Sequence, residues 1–404
     1  MDILYITNGF PWPLTSGYLR HYFLLGELGR RHRVSLLSMV GPRYREEDAQ
    51  ALADRTERIL TFPSSRPTAS ALGRACDRAA LVVAQGDPAA RALGMAIRSL
   101  RRERRFDAAV FSGRRTVPAL DALQGLPLVV DMCDATSLRL RGHLRFAAPP
   151  RRPVVALDLL LTRHLEGRLQ ARADHLLFAT WRDREVLLGR SASLRDGPPA
   201  SIVPNGVDVE AWRRTSTELG QGTIVFSGAM DYAPNVDAAV RLGTSILPLV
   251  RHEVPEARLL IVGRDPTPEV QALAGRPGVT VTGFVEAVLP YLEQGSVFAA
   301  PLRFGAGIQN KLLEALAAGL PTVASPIAAA GLQLAPREPP PVTVARDDAA
   351  FAAAIVTRLA AARDDPQPDA AGRDWVAQHF DWYRSGELLS AIVEGLPGAP
   401  EAGA

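Results

Sequence analysis

The chain has 404 residues, of which 47% are hydrophobic and 22% charged, as is typical of a globular protein with two or three cores. No apolar run approaches the 18 residues of a transmembrane helix, so a membrane-spanning protein is not expected. The first residues, "MDILYITNGF", lack the basic start and cleavage site of a signal peptide.

Cysteine and histidine usage bears on the compartment and on metals. The two cysteines, Cys76 and Cys133, form no disulfide framework, which favours a reducing cytoplasm. The seven histidines are scattered and never stand with cysteine at metal-ligand spacing. We therefore expect a cytoplasmic protein without a bound metal or cofactor.

Charge is distributed unevenly along the chain. Residues 1–200 hold 31 arginines and 20 acidic residues, a net charge of +11, whereas residues 201–404 hold 15 basic and 23 acidic residues, a net charge of −8. This asymmetry predicts two domains, of which the first is basic. The densest basic run, "RRERR" (101–105), is either a solvated helix face or a contact with an anionic membrane at its inner face or with an acceptor. Nucleic acid is not expected, because no aromatic residues stand between these arginines.

Apolar runs separated by helix-period segments predict buried parallel strands throughout the chain. In the first half they are 2–8, 34–39, 107–113, 126–132 and 175–180; in the second half they are 223–228, 257–263, 279–284, 296–302 and 321–326. The predicted fold class is therefore α/β, with two Rossmann-like parallel-sheet domains. The predicted units are an N-terminal domain (1–200), a C-terminal domain (201–378), and a final helix with its tail (379–404).

One Gly-rich turn, after the predicted strand 296–302, carries the clearest chemistry. Gly305, Ala306 and Gly307 lead into a helix predicted to begin at Ile308 and to end before Gly319. Glycine lets the backbone approach a ligand closely, and the free N–H groups at a helix start favour an anion such as a diphosphate.

The same helix holds Lys311, the only lysine of the chain, three residues before Glu314. Residues at this spacing share a helix face, so an ion pair between them would be worth only about 0.2–0.5 kcal/mol. Arginine would serve such a pair equally well, whereas a compact ammonium beside a phosphate accounts for lysine. We therefore assign Lys311 to a phosphate and Glu314 to ribose hydroxyls.

Five segments then resemble the retaining glycosyltransferases of family 4 (group 1), which have the GT-B fold, and among them the exopolysaccharide-type sugar transferases. They occur in the family's order and span most of the chain: "NGFPWPLTSGYLRHYFLLGELGRRHRVSLLS" (8–38), "VVDMCDATS" (129–137), "SIVPNGVDVEAW" (201–212), "IVFSGAMDYAPNVDA" (224–238) and "KLLEALAAGLPTVAS" (311–325).

The resemblance implies two domains facing across a cleft, a C-terminal helix that crosses back, and a nucleotide-diphosphate sugar, linked to UDP, GDP or dTDP, in the C-terminal domain. Glu314 would hold the ribose. The other implied donor contacts are Phe284 and Val285 to the base; Gly228 and the amides of Gly307, Ile308 and Gln309 to the pyrophosphate; and Gly17 from the opposite domain.

The chain departs from the family pattern at two places. Ala306 stands where many members have a glutamate that touches the sugar, so sugar contacts fall to Gln309, Asn310 or the backbone. Ala229, Met230, Asp231 and Asn235 occupy the region of the usual Arg/Lys pair, which leaves Lys311, Arg264 and Arg303 as candidate cations at the phosphates.

The N-terminal domain offers fewer candidates. Asp131 and Asp134 follow a predicted strand and would orient an acceptor, act as base or bond the sugar, or else cap their loop. Arg20 would bind a donor or acceptor phosphate. The acidic groups "DRE" (183–185) and "DVE" (208–210) are interpreted as ordinary helix-start or surface carboxylates.

The predicted function is a metal-independent, retaining glycosyltransferase in which Lys311 and helix-start amides stabilise the leaving diphosphate. The acceptor is open among saccharides, lipid-linked saccharides and natural products. Two alternatives stay open: a GT-B-type sugar-nucleotide epimerase, and a non-catalytic sugar-nucleotide-binding partner subunit. A nicotinamide dehydrogenase is disfavoured, because "NGFPWPLTSG" lacks the spacing of G-x-G-x-x-G.

Overall fold

The computed structural model describes residues 1–14, 19–42, 44–65, 85–189, 197–333 and 339–397. They form two parallel sheets, each covered by helices. The first sheet has seven strands in the order β3-β2-β1-β4-β5-β6-β7. Its strands are β1 (Asp2–Thr7), β2 (Arg33–Val40), β3 (Arg58–Pro63), β4 (Ala108–Ser112), β5 (Leu128–Cys133), β6 (His175–Phe178) and β7 (Ala200–Ile202).

The second sheet has six strands in the order β10-β9-β8-β11-β12-β13. They are β8 (Thr223–Ser227), β9 (Arg258–Val262), β10 (Val279–Val281), β11 (Val297–Ala300), β12 (Thr322–Ala324) and β13 (Thr343–Val344). The strand order reverses between β8 and β11, as it does between β1 and β4 in the first sheet. Such a switch point opens a crevice at the carboxyl ends of the strands, where ligands of α/β proteins bind.

The helices of the first domain are α1 (Leu19–Arg31), α2 (Ala90–Glu103), α3 (Thr136–Phe146), α4 (Arg152–Arg172) and α5 (Trp181–Leu188). Those of the second are α6 (Ala233–Arg241), α7 (Leu247–Glu253), α8 (Pro268–Gln271), α9 (Leu289–Leu292), α10 (Asn310–Ala317), α11 (Pro326–Ala330), α12 (Asp348–Asp364) and α13 (Ala370–His379), followed by α14 (Trp382–Glu394). Among the described residues, no helix is both long and apolar enough to cross a bilayer.

All ten predicted strands are present, whereas the sequence analysis missed β3, β7 and β13. Each missed strand lies at a sheet edge, and none has a fully buried run: all six residues of β3 are partly buried or exposed. Edge strands face solvent, so they need no continuous apolar run of the kind that predicts a buried strand. Because β7 pairs with β6, the boundary predicted between residues 200 and 201 cuts a strand and belongs after Ile202.

The final helix returns to the first domain, as expected. The Trp382 ring stacks on Phe23 of α1, with 4.6 Å between the ring centroids. Leu389 and Val393 are fully buried in the same core cluster as Leu24. Burial of this apolar face fixes α14 against α1 and joins the two domains a second time.

Candidate functional site

Two glycines bring the backbone close together at the carboxyl ends of β8 and β9. Gly228 (φ +147°) and Gly263 (φ +152°) adopt conformations that side-chain-bearing residues rarely take. A Cβ at Gly263 would overlap the Gly228 carbonyl, and a Cβ at Gly228 would lie 3.3 Å from Lys311 Nζ. The absent side chain at Gly263 leaves room for the Gly228 carbonyl. The one at Gly228 leaves room for the Asn235 amide, whose Nδ2 would lie 2.5 Å from a Cβ there, and for the ammonium beside it.

Lys311 lies within this crevice as a buried cation. Its ammonium donates a hydrogen bond to Asn235 Oδ1 and lies 5.1 Å from the centroid of the Phe226 ring. Asn235 is held in turn by the bond from its Nδ2 to Ala229 O (3.0 Å). Burial lowers the pKa of Lys311 to about 8, although the charge of Glu314 opposes the shift.

Glu314 is the acidic group nearest in sequence to that ammonium, yet the two form no ion pair within 4.0 Å. Among the described residues, no hydrogen bond or ion pair reaches the Glu314 carboxylate. Burial raises its pKa to about 7, and Lys311 opposes this shift. The helix ion pair that the spacing allowed is thus not formed, and a half-buried acceptor is left for a ligand.

The Gly-rich turn between β11 and α10 contacts the N-terminal domain. The Gly307 amide (φ +69°) donates to Asp183 Oδ2 at 2.9 Å, across 124 residues of chain. Asp134 Cβ would lie 3.1 Å from a Cβ at Gly307, so this carboxylate faces the same turn. The helix starts at Asn310 rather than at the predicted Ile308, because Gln309 has a non-helical ψ of 91°.

Asp183, predicted from the sequence to be an ordinary helix-start or surface carboxylate, is buried. It is only 1% exposed, and Thr180 Oγ1 donates to its Oδ2 at 2.6 Å. Burial and the charge of Asp134 raise its pKa to about 6, while hydrogen bonds from Thr180, Ala135 and Gly307 oppose the shift. Thr180-x-x-Asp183 has the spacing of a capping box, so the sequence signal reports a helix start and carries no sign of the distant contact.

Arg20 and Asp131 form a buried ion pair, which revises both predicted roles. Arg20 Nε lies 2.8 Å from Asp131 Oδ2, and the two side chains are 3% and 0% exposed. Arg20 also donates to Val203 O (2.8 Å) and to Asn205 Oδ1 (3.1 Å). The guanidinium holds the pKa of Asp131 below its usual range. A guanidinium and a carboxylate engaged in this way offer no free charge to a phosphate or to an acceptor proton.

The ion pair instead supports the start of α10 through one amide. Asn205 Nδ2 donates to Asn310 Oδ1 at 2.9 Å, so Asp131, Arg20, Asn205 and Asn310 form one chain of polar contacts between the domains. Asn205 lies in the segment "SIVPNGVDVEAW", whose resemblance to the family implies no role for this residue. Asn310, predicted to contact the sugar, has its side-chain oxygen occupied.

The other predicted residues lie around the same crevice. Phe284, after β10, is 67% exposed, and Val285 beside it packs on the core. Arg264 pairs with Asp265 at 2.8 Å, and Arg303 pairs with Asp237 through its Nε at 2.9 Å, so both charges are partly neutralised. Gln309 Nε2 donates to Ala306 O (3.3 Å) within the turn that contains Gly305, and the Ile308 side chain joins the core. Gly17 lies outside the described residues.

The chemistry available at the crevice is anion binding beside acidic groups. One ammonium and the start of α10 offer positive potential, and Glu314 offers a free acceptor. Asp134 and Asp183 face the glycine turn from the other domain. Within the described ranges, no three His, Cys, Asp or Glu side chains are grouped as a metal site.

Comparison with known sequences relates the second domain to a family of transferases. Residues 221–361 match the family described as "Glycosyl transferases group 1". The chain is 34% identical over 137 residues to a phosphatidyl-myo-inositol mannosyltransferase of Mycobacterium tuberculosis (strain ATCC 25618 / H37Rv), which covers 32% of this chain and 35% of that relative. It is 31% identical over 209 residues to the same-named protein of Mycobacterium leprae (strain TN), and this match covers 49% of this chain and 54% of that relative. The chain therefore spans about a third to a half of the length of these relatives.

Solved structures resemble the chain over nearly its whole length. The Anabaena protein HepE in complex with UDP and glucose superposes with a TM-score of 0.67 at 12% identity, covering 98% of this chain and 100% of that one. A sucrose-phosphate synthase from Thermosynechococcus elongatus superposes with a TM-score of 0.70 at 14% identity, covering 97% and 98%. At such identities the likeness shows the fold alone, and it confirms the expected GT-B arrangement.

Proposed function

We propose that this chain, whose residues 221–361 match the group 1 glycosyl transferases and whose fold is GT-B, transfers a sugar from a nucleotide-diphosphate sugar to an acceptor with retention of configuration. One observation carries the proposal. A buried ammonium, a glycine turn and a carboxylate without a protein partner meet at the switch point between β8 and β11, where an α/β sheet binds ligands.

Each part of the proposed donor has a matching group. The diphosphate would lie between Lys311 and the start of α10, where an ammonium and backbone dipoles favour negative charge. Glu314 would accept hydrogen bonds from the ribose hydroxyls, and exposed Phe284 would cover the base. HepE has been solved with UDP and with UDP-glucose, which supports a uridine nucleotide as the first donor to try.

The proposed reaction breaks the bond between the sugar C1 and the diphosphate oxygen, and the electron pair of that bond leaves with the diphosphate. The acceptor hydroxyl forms the new bond to C1 on the face that the diphosphate leaves, and its proton passes to a diphosphate oxygen. Lys311 and the turn amides stabilise the charge that develops on the leaving group. No step requires a metal ion.

Asp183 and Asp134 take the place of the acidic residue absent at Ala306. Both carboxylates reach the glycine turn from the opposite domain, within one residue of that position. When a donor phosphate takes the Gly307 amide, Asp183 is released from it to accept hydrogen bonds from the sugar. The acceptor would then approach from the N-terminal side of the cleft, and the reaction would take place in the cytoplasm.

Two measurements with purified protein test the proposal. Thermal shift against UDP-, GDP- and dTDP-sugars should identify one base, since a ligand at 100 times its Kd stabilises by about 2.7 kcal/mol. Glu314→Gln should weaken binding of the selected donor at least tenfold by calorimetry, whereas the matched change Glu256→Gln, in the exposed turn before β9, should leave the affinity unaltered. Equal donor affinity in both variants would refute the site.

Product analysis distinguishes the alternative functions. A transferase releases nucleoside diphosphate only when an acceptor is present and forms a glycoside of the same anomeric configuration. An epimerase would release nucleoside diphosphate without an acceptor. A non-catalytic partner subunit would bind the donor and turn nothing over, alone or with any acceptor.

A further inference from the structure

The hairpin of α3 and α4, with the segment between them, exposes an unusual number of large apolar side chains. Phe146, Val154, Leu157 and Leu160 are 46%, 39%, 45% and 63% exposed. Thirteen large hydrophobic residues are exposed among the described residues, and four of them fall within these 15 positions. Leu157 and Leu160 are three residues apart and so share a helix face. A clustered apolar surface of this kind indicates an interaction site.

The inner side of the hairpin already has its packing partners. Leu140, Ala147, Val155 and Leu159 form a small buried cluster of their own between the two helices. The exposed leucines are therefore not a consequence of a missing core, because the helices pack through a different face. We call the outer side of the hairpin, including residues 145–163, the hairpin surface.

The hairpin surface is strongly basic as well as apolar. Residues 136–163 contain six arginines and one acidic residue, a net charge of +5. In the described part of the chain, Arg145, Arg151 and Arg163 form no ion pair with a carboxylate. Unpaired guanidinium groups beside exposed leucine and phenylalanine side chains suit a surface that is anionic outside and apolar beneath.

We propose that the hairpin surface docks the chain onto an anionic lipid bilayer, with the arginines at the phosphates and the apolar side chains in the interface. A bilayer matches both features at once, because its charged layer overlies a hydrocarbon layer. Binding would be peripheral, through one face of a partly buried hairpin. On α2, among the described residues, Met95 is the single exposed large apolar side chain, so the basic run at residues 101–105 is not proposed as the docking site.

The hairpin surface also lies beside the candidate functional site. The Phe304 ring, in the turn that precedes α10, stacks on His143 at 5.2 Å and on Phe146 at 6.0 Å, and Arg303 lies 4.5 Å from the Phe146 ring. A docked hairpin would therefore bring the mouth of the cleft to the membrane. Resting on the proposed function, this favours an acceptor carried by a lipid; the docking itself does not depend on that function.

Flotation of the full chain with phosphatidylcholine vesicles, with or without 30% phosphatidylglycerol, tests the proposal. We expect binding only to the anionic vesicles, weakened by 0.5 M salt. The triple variant Arg145→Gln/Arg151→Gln/Arg163→Gln should lose about fivefold in vesicle affinity per arginine, about a hundredfold in all. Leu157→Ser/Leu160→Ser should lose roughly tenfold or more. All five side chains are at the surface, and an unchanged thermal transition would show that each variant folds.

Two matched controls decide the location. Arg102→Gln/Arg105→Gln removes charge from the other basic run, and Met95→Ser removes an exposed apolar side chain of α2; both should bind vesicles as the wild type does. The proposal is overturned if the wild type ignores anionic vesicles, or if only the Arg102/Arg105 variant loses binding. A dimer in sedimentation that the leucine variant abolishes, without vesicle binding, would assign the surface to a second copy instead. Because the assay needs no donor, it stands whether or not the proposed transferase activity is found.

Discussion

Donor affinity should depend on pH through Lys311. With a pKa of about 8 in the free protein, the ammonium is mostly charged at pH 7.5 and about a tenth charged at pH 9. A diphosphate beside it favours the charged form, so binding at pH 9 must also take up about 0.9 proton. We therefore expect the donor affinity to fall about tenfold between pH 7.5 and 9, which corresponds to about 1.4 kcal/mol.

Two substitutions separate charge from shape at this position. Lys311→Met removes the cation, so the donor affinity should be low and should show only the pH dependence that ionisation of Glu314 and of the base causes. Lys311→Arg keeps a charge that does not titrate, so its donor affinity should vary with pH no more than that of Lys311→Met. The larger guanidinium group should lower the affinity itself. The difference between the wild-type and Lys311→Met profiles isolates the ammonium.

The assay is calorimetry of the selected donor at pH 7.5, 8.2 and 9, each in two buffers of different ionisation enthalpy, which counts the protons taken up. Stability provides the folding control. Because the pKa of Lys311 is lower in the folded than in the unfolded chain, its contribution to stability is present above the unfolded pKa and is lost as pH falls through about 8. Lys311→Met should therefore melt no lower than the wild type at pH 7 without donor. Wild-type affinity that follows the Lys311→Met profile, with no proton uptake, would refute a phosphate role for Lys311.

Three further predictions concern other parts of the structure. Asp183 has a raised pKa of about 6, so the stability it contributes is complete below the pKa of the unfolded chain and is lost as pH rises through 6. The free energy of unfolding of Asp183→Asn, measured with urea, should therefore exceed that of the wild type by up to about 3 kcal/mol at pH 8 and by nothing at pH 3.5. A gain that does not vary with pH would contradict this origin. Arg20→Met should lower the free energy of unfolding by about 3–5 kcal/mol because Asp131 is left buried and unpaired, whereas Arg20→Met/Asp131→Leu should recover much of that loss. Equal losses in the single and double variants would show that the charge pair is not the cause. Millimolar EDTA should leave transferase activity unchanged, and recovery of a lost activity by one divalent cation would overturn the metal-independent mechanism.

The sequence alone was sufficient for the architecture and for predicting which residues of the Gly-rich turn and α10 lie near one another. The nine interior strands of the two sheets could be found because parallel strands covered on both faces are continuous apolar runs. Strands β3, β7 and β13 escaped because edge strands need no such run. Gly307, Lys311 and Glu314 could be placed together because they lie within eight residues on one turn and one helix, where local geometry determines which groups are neighbours.

Only the tertiary structure could decide which groups that are distant in the chain contact one another. The motif around Asp183 predicts nothing more than a helix start, yet its carboxylate accepts the Gly307 amide 124 residues away. Arg20 and Asp131 were each suited to a ligand by residue type, but their 111-residue separation concealed that they pair with each other. Periodicity and spacing report which side chains are near along the chain, whereas the charge and solvation of a buried group depend on what the fold places beside it.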